Sequence, residues 1–199
     1  MKMLTKEISK HSQDKELISH LQNGNDSALN EIMSRYRPKL FSFIYGYTRD
    51  ADASSDILQE VFIKVYFKAK TYSSNYSFST WIHQIAINLC HDHHRREKLG
   101  RWFSLGSNLE EDSNIGYHRT AVDPNSNIED LTELRQGLSL LDKEIKRLPH
   151  KLKTSLVLFV LEGFSQEKCA KILNVSPKTV ETRVYRARKI LAKKIAINF

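Results

Sequence analysis

Residues 163–191 read GFSQEKCAKILNVSPKTVETRVYRARKIL. Two short helices and a fixed turn are written into this stretch. Ser165 can cap a helix over Gln166 to Leu173, because its hydroxyl can accept from an orphan N–H of the first turn. Asn174 stands where a tight turn needs a residue that tolerates the left-handed region. Ser176 and Pro177 then start a second helix: a hydroxyl cap, followed by proline at the first helical position. That helix runs towards Ile195. Val180, Val184, Ala187 and Leu191 recur on one face of it at helical spacing. Ala170 lets the two helices approach closely, and Val175 fills the turn. Cys169 reads as a small core residue and not as a nucleophile. Upstream, Leu152, Leu156, Val157, Phe159, Val160 and Leu161 form an apolar helix that ends at Gly163, a C-cap.

This is a helix-turn-helix pattern. Lys178, Thr182, Tyr185 and Lys189 lie on the outer face of the second helix, flanked by Glu181, Arg186 and Arg188. Hydroxyl, aromatic, amine and carboxylate groups together suit groove reading better than phosphate neutralisation alone. A helical hairpin with a solvated basic face is the plainer alternative.

Charge divides the chain. Residues 143–199 hold 14 Lys or Arg against 4 Asp or Glu, while residues 104–134 hold seven acids and one basic residue, Arg119. The acidic stretch is also rich in Gly, Ser, Asn and Pro, which reads as a polar linker. The organisation is therefore an N-terminal domain over 12–100, a flexible acidic linker over 101–134 and a basic C-terminal domain over 135–199. Only 7 Gly and 4 Pro in 199 residues favour an all-α fold of two small helical domains. A net charge of +8 suits a polyanionic partner. No apolar run reaches the roughly 18 residues that span a bilayer, and charges interrupt the N-terminus where a signal peptide would be apolar. Two cysteines build no disulfide framework. A cytoplasmic protein is the expectation.

In the N-terminal domain, Asp50 to Lys70 forms a two-faced helix. Leu58, Val61, Phe62, Val65 and Ala69 make one apolar face, while Asp56, Gln59, Glu60, Ile63 and Phe67 make the other. An amphipathic helix normally shows polar groups alone on its outer face. Ile63 and Phe67 among acids point either to a second intramolecular contact or to a docking face for another protein. The next helix, Phe78 to about Lys98, points Phe78, Trp81, Ile82, Ile85 and Leu89 inward. Gln84, Asn88, His91 and Arg95 form a stripe on its other side, with Arg96, Lys98 and Arg101 close by. The loop from Tyr72 to Tyr76 precedes it. Rings for stacking beside amides and guanidinium groups suit single-stranded nucleic acid.

The run Cys90-His91-Asp92-His93-His94 raises a metal reading. Consecutive helical residues point in different directions, and a closed zinc site needs four convergent ligands. No metal and no cofactor is expected. A nucleic-acid-processing enzyme built on Asp92 and the histidines lacks a convergent catalytic set.

Asp56-Ile-Leu-Gln59-Glu60-Val-Phe62, Phe78-Ser-Thr-Trp81-Ile-His-Gln-Ile-Ala86-Ile-Asn88, Leu148-Pro149, Gly163-Phe-Ser165 and Thr179-Val180-Glu-Thr-Arg183-Val-Tyr-Arg186-Ala187-Arg188 together resemble regions 2 and 4 of extracytoplasmic-function (ECF) sigma factors of the sigma-70 type. The resemblance implies a promoter-specific initiation factor of bacterial RNA polymerase and not an enzyme. Region 2 would bind core polymerase through Asp56, Gln59, Glu60, Ile63 and Phe67. It would open promoter DNA and capture a −10 base with Tyr72, Tyr76, Gln84, Asn88, His91, Arg95 and Arg96. Region 4 would read the −35 element with Lys178, Thr179, Glu181, Thr182, Tyr185, Arg186 and Lys189. Core polymerase, promoter DNA and an anti-sigma factor would be the partners, with no small-molecule substrate. Glu181 departs from the Arg, Lys or Asn frequent at its position, so the −35 preference of relatives does not transfer. The other reading of the same motif is a stand-alone helix-turn-helix regulator, which needs no polymerase-docking helix and usually binds palindromes as a dimer.

Overall fold

The structure, a computed structural model, describes residues 13–73, 76–104 and 128–196. Every regular element among them is helical. Helix α1 covers 13–22. Then follow α2 (Ser27–Thr48), α3 (Ala51–Lys68) with a 3-10 turn (Ala69–Thr71), and α4 (Phe78–Ser104). After residues 105–127 come α5 (Ile128–Arg147), α6 (His150–Leu156) with a π turn (Val157–Leu161), α7 (Gln166–Leu173) and α8 (Pro177–Ala196). The linker reading over 101–134 thus meets helix at both ends, and 105–127 lie outside the described residues.

Local chemistry sets these boundaries. Asp50 caps α3, its Oδ1 accepting from the Ala53 N–H at 2.9 Å. Arg49 just before it turns the chain in the left-handed region, with φ of 53°. Ser165 Oγ accepts from the Lys168 N–H and caps α7; Asn174 ends that helix at φ of 51°. Ser176 Oγ accepts from the Thr179 N–H at 3.1 Å, which starts α8. The caps read from residues 163–191 therefore all form. One departure is the π turn, where the Glu162 N–H donates to the Val157 carbonyl.

Helices α1 to α4 share one core. Val61, Phe62 and Val65 of α3, Leu40, Phe43 and Ile44 of α2 and Phe78, Ile82 and Leu89 of α4 are all buried. A buried carboxylate ties α1 to α2: Asp14 Oδ1 accepts from Arg35 Nη1 at 3.0 Å, and its other oxygen accepts from the Tyr36 hydroxyl. Burial and that carboxylate hold the Tyr36 hydroxyl protonated well above its ordinary range. In the C-terminal part, Val180, Val184, Ala187 and Leu191 of α8 pack inward as their spacing requires.

The two parts form one continuous core, which the sequence does not reveal. Helix α4 buries a further face made by His83, Ile87 and Cys90. The His83 ring stands edge-on to Phe164 at 5.2 Å between centroids. At Gly46 of α2 the helices nearly touch: a Cβ there would lie 3.0 Å from Val157 Cγ1 and 3.2 Å from Leu161 Cδ1. The Tyr47 hydroxyl and His150 Nδ1 are 2.8 Å apart. Lys153 is buried 4.5 Å from the centre of the Tyr47 ring and donates to the Lys146 carbonyl at 2.7 Å. Ion pairing of Arg49 with Asp142 at 2.9 Å and a 2.7 Å hydrogen bond from Ser42 to Glu162 close the edges.

Candidate polymerase and promoter-DNA interfaces

Helix α3 presents the first candidate surface. Its buried face leaves Asp56, Gln59, Ile63 and Phe67 exposed and Glu60 half-buried. Phe67 is 76% exposed and Ile63 54%, so no contact among the described residues buries them. Beside them runs an open groove of about 1120 Å³ between α2 and α3, lined by Leu29, Met33, Phe41, Phe62, Ile63 and Phe67 among others. Exposing two large apolar side chains costs solvation free energy that burial against a partner recovers, about 1.5–3 kcal/mol for each fully buried side chain. An apolar groove lined also by Gln59, with Asp56 and Glu60 on the same helix, suits another protein's helices better than it suits DNA.

Helix α4 carries the second surface. Gln84 is half-buried, and Asn88, His91, Arg95 and Arg96 are exposed along one side. His91 is also part of the contact between the two halves, its ring centroid 4.2 Å from that of His150. Burial, with His91 and His94 nearby, pushes His150 down to about 4, so it is neutral at pH 7. The two tyrosines of the preceding loop differ. Tyr72 packs against Phe78 at 5.9 Å and Trp81 at 5.2 Å, and its hydroxyl donates to the Tyr76 carbonyl. Its ring is buried, so Tyr72 shapes the loop from beneath instead of presenting a stacking face. Tyr76 is 56% exposed and presents one. Residues 74 and 75 lie outside the described residues.

The third surface is the outer side of α8. Lys178, Glu181, Tyr185, Arg186 and Lys189 are exposed, with Tyr185 at 65%. Thr179 is engaged with the Ser176 hydroxyl at 2.9 Å. The Thr182 hydroxyl donates to the Lys178 carbonyl at 2.9 Å. Lys178 Nζ lies 3.0 and 3.2 Å from the two Glu181 oxygens. Because Val180 and Val184 are anchored in the core, this face is held in a fixed direction.

No group of three or more His, Cys, Asp or Glu residues converges as a metal site among the described residues. Burial raises the Cys169 thiol to about 11 and pushes Cys90 higher still, so both stay thiols. No described helix is long and apolar enough to cross a membrane. Sequence reasoning missed the surface joining the halves: Gly46, Tyr47, His83, His150 and Lys153.

Known proteins share this layout. Residues 32–99 match the family model described as Sigma-70 region 2, and residues 138–191 the one described as Sigma-70, region 4. The chain is 32% identical over 185 residues to the ECF RNA polymerase sigma-E factor of Haemophilus influenzae, covering 92% of this chain and 95% of that protein. It is 28% identical to the ECF RNA polymerase sigma factor SigW of Bacillus subtilis, covering 91% and 96%. A solved structure of the sigma factor RpoE from Bartonella quintana, in complex with the anti-sigma factor NepR, superposes with a TM-score of 0.62 at 19% identity, covering 85% of this chain and 98% of that one. That likeness shows the fold.

Proposed function

The chain belongs to the extracytoplasmic-function family of sigma-70-type RNA polymerase sigma factors, and from this we propose how its residues divide the work. It binds core RNA polymerase and directs promoter-specific transcription initiation, as factors of this family do without catalysing a reaction of their own. Residues 12–100 act as region 2, 101–134 as linker and 135–199 as region 4. Asp56, Gln59, Glu60, Ile63 and Phe67 dock on core polymerase. Tyr76, Gln84, Asn88, His91, Arg95 and Arg96 hold the opened −10 strand, with Tyr72 bracing the loop. Lys178, Thr179, Glu181, Thr182, Tyr185, Arg186 and Lys189 face the −35 element. An anti-sigma factor of the kind bound by the Bartonella relative restrains the chain until it is needed, in the cytoplasm where polymerase and promoter are found.

One observation carries this reading: Ile63 and Phe67 stand exposed beside an apolar groove in the same body as the α8 reading face. A stand-alone repressor or activator needs the second feature and has no use for the first. The test replaces Gln59 and Glu60 together with Ala and measures binding to core polymerase by fluorescence anisotropy. The expected result is weaker binding with an unchanged helical circular dichroism spectrum. Binding equal to wild type would remove α3 as the docking element.

A further inference from the structure

Helix α8 carries a single carboxylate, Glu181, among Lys178, Arg183, Arg186, Arg188, Lys189, Lys193 and Lys194. It is exposed on the same side as Lys178 and Tyr185. Phosphate binding does not account for it, because a carboxylate is repelled by the DNA backbone. Stability does not account for it either: an exposed ion pair one turn apart contributes little to a fold. What the pair does have is geometry. Lys178 Nζ sits 3.0 and 3.2 Å from the two carboxylate oxygens. It lies at the start of α8, the end of a recognition helix that enters the major groove.

A carboxylate offers acceptors only. The donors at base edges in the major groove are the amino groups of cytosine N4 and adenine N6. Adenine N6 is flanked by N7, an acceptor that repels a second oxygen. Cytosine N4 has no such neighbour on its own base. Across the pair from cytosine N4 lie guanine O6 and N7, the acceptors to which lysine donates. Cytosine N4 and guanine O6 are themselves hydrogen-bonded, about 2.9 Å apart, close to the 3.0 Å between the Lys178 and Glu181 head groups. The ion pair and the base-pair edge thus carry opposite charges at matching spacing. The Thr182 hydroxyl gives its hydrogen to the Lys178 carbonyl, so it has no donor for guanine O6 or N7 and leaves that role to Lys178.

We propose that Lys178 and Glu181 act as one unit that reads a single C·G pair in the −35 element, Glu181 accepting from cytosine N4 and Lys178 donating to guanine. The inference rests on α8 being the −35 reader. Lys178 also neutralises the carboxylate as it approaches the phosphates, so the pair reads the base without the full penalty of a lone negative charge.

The experiment uses the full chain with core polymerase, and transcription from a promoter library with a randomised −35 element and a fixed −10 element. Wild type should prefer C at one position by roughly 5- to 150-fold, the span of one direct base contact. Glu181→Ala should flatten that position and leave the others unchanged. Glu181→Gln should move the preference there from C to A, since glutamine pairs with adenine N6 and N7. Lys178→Ala should weaken the same position. If Glu181→Ala raised use of all −35 sequences alike while every positional preference stayed, Glu181 would be a phosphate-repelling residue and the inference would be overturned. If wild type showed no −35 preference at all, the assignment of α8 as reader would fall first and this inference with it.

Discussion

Gly46 holds the two halves of the chain together by having no side chain, and enlarging it should part them. Alanine there favours α2 itself by about 1 kcal/mol over glycine. Its Cβ, however, would meet Val157 Cγ1 at 3.0 Å and Leu161 Cδ1 at 3.2 Å, inside the 3.5–4.0 Å of a comfortable carbon contact. Val157 is fully buried and has little room to move. Overpacking of this kind costs about 1–3 kcal/mol, and parting the helices also gives up the Tyr47–His150 hydrogen bond, worth about 1 kcal/mol. Gly46→Ala should therefore loosen the contact, and Gly46→Leu should open it. Dyes at the exposed positions His20 and Lys189 report the separation by energy transfer. The expected result is lower transfer in Gly46→Leu with helical circular dichroism retained. The separation matters because a compact chain of this length is roughly 40 Å across. Elements centred at −10 and −35 are about 25 base pairs apart, or about 85 Å at 3.4 Å per step. The closed arrangement cannot reach both. Unchanged transfer in Gly46→Leu would show that the Gly46 crossing does not hold the halves.

Acid should weaken the same contact. His83 and His150 are both lowered to about 4 from an ordinary 6.5, first by burial. Below 6.5 the unfolded chain takes up protons that the folded chain refuses, so their contribution is complete above about 6.5 and is lost as pH falls towards 4. Thermal melts should show Tm falling over that window, with a smaller fall in a His150→Gln variant. Ser176→Ala should destabilise the C-terminal part by about 1 kcal/mol through loss of the α8 cap, read by urea denaturation. Arg186→Ala or Tyr185→Ala should cost roughly 1–3 kcal/mol on a matched −35 element and relax preference there. Lys193→Ala and Lys194→Ala should weaken all sequences alike and lower the salt slope; equal losses on matched and scrambled DNA for Arg186→Ala would contradict direct reading.

What could be read from the sequence is what short-range chemistry decides. Ser165, Asn174, Ser176 and Pro177 act within four residues of themselves, and each does in the structure what its type implies. The apolar face of α3 and the Phe78, Ile82 and Leu89 face of α4 follow from helical spacing alone. The contact between the halves depends on which distant faces meet, and spacing carries no record of that. Gly46 reads as an ordinary helix glycine until Val157 is found against it. His83 falls between two plausible faces, and its partner Phe164 is 81 positions away by number. Tyr72 lies in a loop whose composition suggests exposure, yet its ring completes the core with Phe78 and Trp81.

The most direct test of the account is transcription from a library of −10 variants by core polymerase with wild type or Asn88→Ala. Asn88 is exposed on the α4 stripe, on a different helix from the docking face proposed on α3. Its amide offers one acceptor and two donors, enough to discriminate among bases, and a flipped base is held by such contacts and by stacking. Asn88→Ala should change the −10 preference with core binding retained. On a pre-melted template, activity should recover while the wild-type preference does not. A variant that keeps the wild-type base preference on duplex templates would contradict it.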